Sequence, residues 1–473
     1  MSPTVVPAPP GTAVSFADAG GSAAGAKAPW NLFAVGLFDR GDVAQGSGVA
    51  ELLRRFGDRV TYSPATDALT AAIIEGNGLS WSIARVVGPA AATASVSLVD
   101  GQTTPAPSIT VTATSAGDWA NGADGGLTLE ITAPTTTTRR VIVSEGGTVV
   151  ATSPACDTTV ELAAWENDYV TVTADGAGLP AVATTVNLAG GDDDRANITS
   201  TEWQVALGKL EKRWGPGTLL VFADDADVRA AAADHADARN RVVLAYTDAS
   251  ATSNDQITAA TALVADRPDT AQHVGLFGAW AYTNAVAGDP ERLVPWAAVQ
   301  AGICARIHRA QGICAPAFGP VRGAAQIVTR LQSEIDDEAR ATLYAAGVNY
   351  ATDDGTISTW GFRTVDPAPL DADLTHQYTR MGLRADGEAI LASFIGSPGD
   401  ADTLASLHAR LVALGNEYIA ARGLTEVAVD TDSLNTAETL AARELHALMR
   451  IKHTPTADWV DLVISIASYD QTI

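Results

Sequence analysis

Cysteine is scarce in this 473-residue chain: Cys156, Cys304 and Cys314 are too few, and odd in number, for a disulfide framework, and their spacing fits no zinc site. They read as buried structural thiols. Long apolar runs are missing too. The best candidate, Trp30 to Phe38, falls far short of the roughly 18 residues of a membrane span and follows Lys27 and Pro29. The opening MSPTVVPAPPG has neither a basic n-region nor an apolar h-region, so no secretory signal is expected and assembly in a cytoplasm is. Positive charge is the third shortage. Thirty Lys and Arg against 55 Asp and Glu leave a net charge of −25, which argues against nucleic acid because neutralising phosphates requires cations. Identical copies of such a chain repel at long range, so self-assembly demands local charge complementarity.

Catalytic signatures are equally thin. The chain has no H-E-x-x-H, C-x-x-C or G-x-S-x-G motif, and Gly20-Gly21, Gly190-Gly191 and Gly36 to Gly48 lack the strand-loop-helix context and the lysine of a phosphate cradle. One carboxylate pair stands out: Phe222 to Arg229 (FADDADVR) follows an apolar strand, and Asp225 and Asp227 form a D-x-D that a magnesium-dependent phosphatase would use. Asp224, Asp225 and Asp227 equally suit the N-terminus of the next helix, where a carboxylate caps free N–H groups and meets the positive end of the dipole. Cys304 and His308 lie four apart and share a helical face; packing is the plainer reading of that pair. No cofactor, metal or catalytic residue is therefore expected.

What is present is a folded composition, 47% hydrophobic and 18% charged, long enough for two to four domains. Residues 1–28 are rich in Pro, Gly and Ala, and are expected to form an extended arm. Residues 29–99 hold an apolar strand, a helix over Val49 to Phe56, a second over Thr66 to Gly78 and the strand Ser80 to Val87. From Asp100 to about Arg195 the sequence becomes rich in Thr, Val and Gly with period-two alternation at Ile109/Val111, Leu127/Leu129/Ile131, Val141/Val143, Val160/Leu162 and Val170/Val172, which predicts a small β-sandwich or barrel. Over 196–370 strands alternate with helices of 10 to 15 residues, the pattern of βαβ units and a parallel sheet. The last block, 371–473, reads as two long helices, the strand Val427 to Asp430 and the alternating terminal strand Trp459 to Ala467. The fold class expected is thus α/β and α+β multidomain: a central parallel α/β block, an inserted β-sandwich or barrel, and a terminal α+β domain built from both chain ends.

The stretch Val294 to Gly319 combines a proline corner at Pro295, a small-residue helix through Ala301, Gly302, Ala305 and Arg306, and a loop punctuated by Gly312, Ala315 and Pro316. It predicts a short helix within a tightly packed hinge. Downstream come Leu343, Gly347, Val348, Asn349, Gly355, Trp360, Gly361, Arg363 and Thr364, and upstream Arg55-Phe56-Gly57, Asn77-Gly78, Arg85-Val86 and Gly117, Trp119, Asn121. This ordered series resembles the contractile tail sheath proteins of bacteriophages, which tend to carry a PPSG-like corner, an AG…AR helix, a GV…AP loop and "GIN…WGxRT". Trp296 departs from it where the family favours a second proline, and His308 where it favours Asp.

The resemblance implies a structural virion protein rather than an enzyme: hexameric rings stacked in a helical sheath around a tail tube, contracting to drive the tube through the host envelope, in a phage tail or a phage-like contractile injection system. It implies tube, baseplate and tail terminator proteins as partners, no direct membrane insertion, and assembly in the host cytoplasm. Pro295, Gly302, Arg306, Gly312, Pro316, Gly347, Asn349, Trp360, Gly361 and Arg363 become structural positions. Subunit contacts are expected at Val5, Val6, Val14 and Phe16 of the N-terminal arm and at Val460, Leu462, Ile464 and Ile466 of the C-terminal strand, whose apolar faces need a sheet to join.

Overall fold

The computed structural model describes residues 31–284, 290–368 and 371–456. Their centre is an eight-stranded sheet of β1 (Leu32–Gly36), β2 (Val43–Ser47), β3 (Ser80–Arg85), β4 (Gly217–Val221), β5 (Arg241–Tyr246), β6 (Val274–Phe277), β7 (Val348–Asp353) and β8 (Ile357–Trp360). The order is β8-β7-β6-β5-β4-β1-β3-β2. The six inner strands are parallel, with Leu32 facing Thr218 on one side and Trp81 on the other, while β2 and β8 close the edges antiparallel. Strands such as LFAVG and RVVLAY are apolar on both faces because helices cover both.

Successive side chains of β1 divide the core. Leu32 and Ala34 belong to a cluster with helices α1 (Gly48–Phe56), α2 (Ala65–Glu75) and, later in the chain, the helices Trp296–Gln311 and Leu374–Ala392; Phe33 and Val35 face α3 (Ser200–Lys209), α4 (Ala226–Arg239) and α5 (Ser253–Asp266). Local chemistry starts these helices: Thr199 with Glu202 and Thr252 with Asp255 form capping boxes on α3 and α5, and Asp225 caps α4.

The helix α6 (Trp296–Gln311) corrects the expectation of a short helix at a hinge. It has 16 residues and is buried almost throughout, because small and apolar side chains surround its axis. Pro295 ends an antiparallel strand, Arg292–Pro295, paired with Trp280–Thr283, and Gly312 at φ +93° ends the helix. Sequence periodicity missed the edge strand β2, the three-stranded sheet of Trp280–Thr283, Arg292–Pro295 and Val328–Leu331, the helix α7 (Asp337–Ala345), the strand β7 and the hairpin strand Leu448–His453.

Between β3 and β4 the chain leaves to build a sandwich. One sheet contains Ala183–Asn187, Leu127–Thr132, Arg140–Glu145 and Thr148–Thr152; the other contains Ser95–Val99, Pro107–Ala113 and Val170–Ala174. Ile109, Val111, Leu129, Ile131, Val141, Val143, Val170 and Val172 fill a core of their own. The strand Ser95–Val99 precedes the compositional change at Asp100. Val160 and Leu162 are not strand residues: Thr158 accepts from the Glu161 N–H and starts the helix Thr159–Ala163, so a local cap overrides the alternation.

In the C-terminal block α8 (Leu374–Ala392) packs on the sheet, where Tyr378 meets Thr218 at 2.7 Å, and α9 (Ala401–Ala420) carries the hairpin Leu424–Asp430/Leu448–His453. The strands β1 and β3 of residues 29–99 sit inside the central parallel sheet and the C-terminal hairpin pairs only with itself among the described residues; the two chain ends expected to build a terminal α+β domain, 1–30 and 457–473, lie outside them. Val5, Val6, Val14, Phe16, Val460, Leu462, Ile464 and Ile466 lie outside the described residues. Among those described, no helix is long and apolar enough to cross a membrane.

Candidate functional site at the root of the inserted sandwich

Open α/β sheets bind ligands beyond the carboxyl ends of their strands, where the strand order reverses. Here that point lies between β1 and β4, and the protein fills it with itself. Phe38 and Phe222 close over Gly36, with Tyr246 6.4 Å from Phe222 and Trp280 5.5 Å from Tyr246, ring to ring. The two chain crossings to the sandwich leave and return beside this plug.

An arginine holds the crossing. Arg85, the last residue of β3, is 2% exposed and donates to the carbonyls of Phe38 and Asp39, each at 2.8 Å, and of Ala116 at 2.5 Å. It also pairs with Asp193, whose other oxygen pairs with Arg195. Arg195 stacks 4.1 Å over the Tyr62 ring and reaches Asp118 at 3.3 Å. Beside it Arg40 pairs with Glu145 and lies 5.3 Å over both Trp119 and Tyr169, Gly41 N–H donates to Ser115 Oγ at 3.0 Å, and Arg54 pairs with Asp168. Gly117, at φ +129°, leaves room for Arg85 and Asp193, where a Cβ would collide. Asn121 and Gly191 exchange two 2.9 Å hydrogen bonds at the same root. Burial pushes the Asp39 carboxyl up to about 6 against the pull of Arg40 and Arg85, and raises Asp193 as well. The buried pair at its centre, Arg85 and Asp193, makes its hydrogen bonds across the crossing and fixes one domain on another.

The motif residues further along tie the core. Gly302 lets α6 touch α2: a Cβ there would stand 2.6 Å from Glu75 Cβ and 2.7 Å from the Ala72 carbonyl. Arg306 donates to Glu75 at 2.8 Å and to the Ala324 carbonyl at 2.7 Å, while the second Glu75 oxygen accepts the N–H groups of Gln326 and Ile327. Arg309 caps α2 through the carbonyls of Gly76, Asn77 and Gly78. Asn349 accepts the Arg363 N–H at 2.7 Å and donates to the Leu276 and Arg363 carbonyls, so β6, β7 and the chain after β8 share one side chain. Arg363 donates to the Tyr344 carbonyl at 3.1 Å and lies 4.7 Å over its ring. Gly347 and Gly361 adopt φ of +75° and +78° on either side of this knot, Trp360 pairs with Tyr350, and Pro316 follows Ala315, whose carbonyl accepts from His308.

The other candidates dissolve into packing. His308 is buried, donates Nε2–H at 3.1 Å and has its pKa pushed down to about 3 by burial; burial likewise pushes the Cys304 thiol up to about 12, so neither offers an imidazolium–thiolate pair. Asp225 accepts the Val228 N–H at 3.0 Å as the α4 cap, and Asp224 pairs with Arg229. Among the described residues no group of three His, Cys, Asp or Glu side chains is placed to hold a metal ion, and the phosphatase reading of Asp225 and Asp227 gains no support.

Residues 196–365 match the family model described as the phage tail sheath protein central domain. No curated protein sequence matches the chain at a significant level. The fold is similar to a sheath tail protein of Listeria innocua (TM-score 0.62, 10% identity, 87% of this chain and 90% of that one) and to one of Desulfitobacterium hafniense (0.60, 12%, 89% and 94%). It is also similar to the sheath of an extracellular contractile injection system in its contracted state (0.54, 11%, 99% and 100%). The central sheet bears the sheath central-domain signature over residues 196–365, and the likeness in fold to sheath proteins extends over nearly the whole chain.

Proposed function

We propose that this chain is the sheath subunit of a contractile tail or of a phage-like contractile injection system, polymerising helically around a tube and contracting to drive that tube through an envelope. The observation that carries the reading is the family match over 196–365 inside a fold that follows sheath proteins from end to end. The partners it entails are further copies of the chain in stacked hexameric rings, a tube protein, and baseplate and terminator proteins at the ends. The particle is the site of action, and the host cytoplasm the site of assembly.

The physical logic favours a mechanical part. A rigid body must move without internal yielding, and the arginine root and the Asn349–Arg363 knot supply that stiffness. Neighbours must remain tethered as they move. Residues 1–28 and 459–473 are long enough, at about 3.3–3.6 Å per extended residue, to cross to an adjacent subunit. The two-stranded hairpin Leu424–Asp430/Leu448–His453 takes no third strand from the described residues and is the natural acceptor for Val460, Leu462, Ile464 and Ile466 or for Val5, Val6, Val14 and Phe16 of a neighbour. Electron microscopy of the purified protein tests the function: striated tubes support it, and monomers under every assembly condition contradict it.

A further inference from the structure

Two imidazoles stack where the C-terminal hairpin meets the core. His376 on α8 and His453 at the end of the Leu448–His453 strand have ring centroids 4.3 Å apart and planes 16° from parallel. Arg380, one turn along α8, donates Nε–H to His453 Nε2 at 3.3 Å, so that nitrogen is an acceptor and the ring is neutral. His376 donates its Nε2–H to the Thr454 carbonyl at 3.3 Å. The nearby carboxylates are engaged: Asp371 pairs with Arg380, and Asp373, 3.7 Å from His376, accepts from Thr456. Gln272 also accepts from Arg380, and the Lys452–Glu426 pair of the hairpin is exposed. Among the described residues His453 therefore faces a guanidinium and a second imidazole, with no carboxylate of its own.

We propose that this histidine pair is an acid-released clasp that seats the end of the Leu448–His453 strand, and with it the start of the C-terminal tail, against α8. A proton on His453 removes the acceptor that Arg380 uses and places two cations together. Burial first, then His376 and Arg380, push the seated imidazole down to about 2. A lifted strand returns it to about 6.5. The seated value is the lower one, so the clasp is fully effective above about pH 6.5 and weakens about tenfold per pH unit below it. The clasp rests on the fold of the single subunit, so it and the sheath reading fail separately.

Hydrogen exchange of the full chain from pH 7 to pH 4, corrected for intrinsic rates, tests it. Residues 448–456 are expected to open about tenfold more per pH unit below about 6.5, while β5 stays protected. His453→Phe, which stacks but takes no proton, is expected to be flat. A flat wild-type profile, an equal slope in His453→Phe, or loss of β5 protection in step with the hairpin overturns the clasp. If His453→Phe fails to seat the strand at pH 7, His453→Gln, which keeps an acceptor for Arg380 and takes no proton, decides: the clasp predicts a flat profile, and a slope equal to the wild type contradicts it.

Discussion

Arg85 and Asp193 form an ion pair across the root of the inserted sandwich, with side chains only 1% and 5% exposed. A buried pair of this kind is weak evidence for net stability, because desolvation offsets attraction, yet removing one partner strands the other. Arg85→Met is expected to cost about 3–5 kcal/mol in denaturant unfolding. The double variant with Asp193→Asn should cost clearly less than the sum of the singles. The sandwich core contains neither residue, so the loosened species should show new protease cleavage near residues 88 and 194 with the sandwich strands still protected. Unchanged stability in both single variants would remove the root from the account.

The same root gives stability a pH dependence. The Asp39 carboxyl sits near 6 in the fold, above its ordinary 3.8. A raised acid stabilises the fold fully below the ordinary value, and that contribution is lost as pH rises through about 6. Asp39→Asn, which carries no charge, is expected to be about 1–3 kcal/mol more stable than the wild type at pH 7.5 and to match it near pH 4. Melting curves at the two pH values check the sign.

Two helical glycines should respond oppositely to alanine. At Gly302 the new methyl meets Glu75 and the Ala72 backbone, and overpacking of this kind costs about 1–3 kcal/mol. At Gly208 on α3 nothing stands within 4 Å, and the higher helix propensity of alanine should add up to about 1 kcal/mol. Equal effects at the two positions would contradict the close approach of α6 to α2.

The parallel strands were legible because burial on both faces leaves an apolar run that tolerates little else, as in Val242 to Tyr246. The α/β helices were legible through caps and period. Edge strand β2, VAQGS, was not: half-exposed small and polar residues carry no period, and only pairing with β3 defines it. Val160 and Leu162 misled, although Thr158 and Glu161 held the correcting signal. The site itself was half visible. Gly57, Arg85, Gly117 and Asn121 stood out through family resemblance, but Asp193 carried no signal in the sequence, and its partner is 108 residues away. The Asn349–Arg363 knot was visible as motif letters whose purpose needed three strands to appear.

The tethers carry a prediction of their own. Deleting residues 459–473, or replacing Leu462 and Ile464 by Asp, should leave circular dichroism and the central sheet intact while abolishing long tubes; removing residues 1–15 should weaken assembly and leave the subunit soluble. Normal tubes from both truncated proteins would discard strand exchange, although not the sheath.

The most direct measurement is negative-stain electron microscopy of the purified full chain over a range of protein and salt concentrations. Screening must matter for a subunit of net charge −25. Long, regularly striated hollow tubes that become more abundant as salt rises are the expected result; dispersed single subunits at every concentration and ionic strength would contradict the assignment.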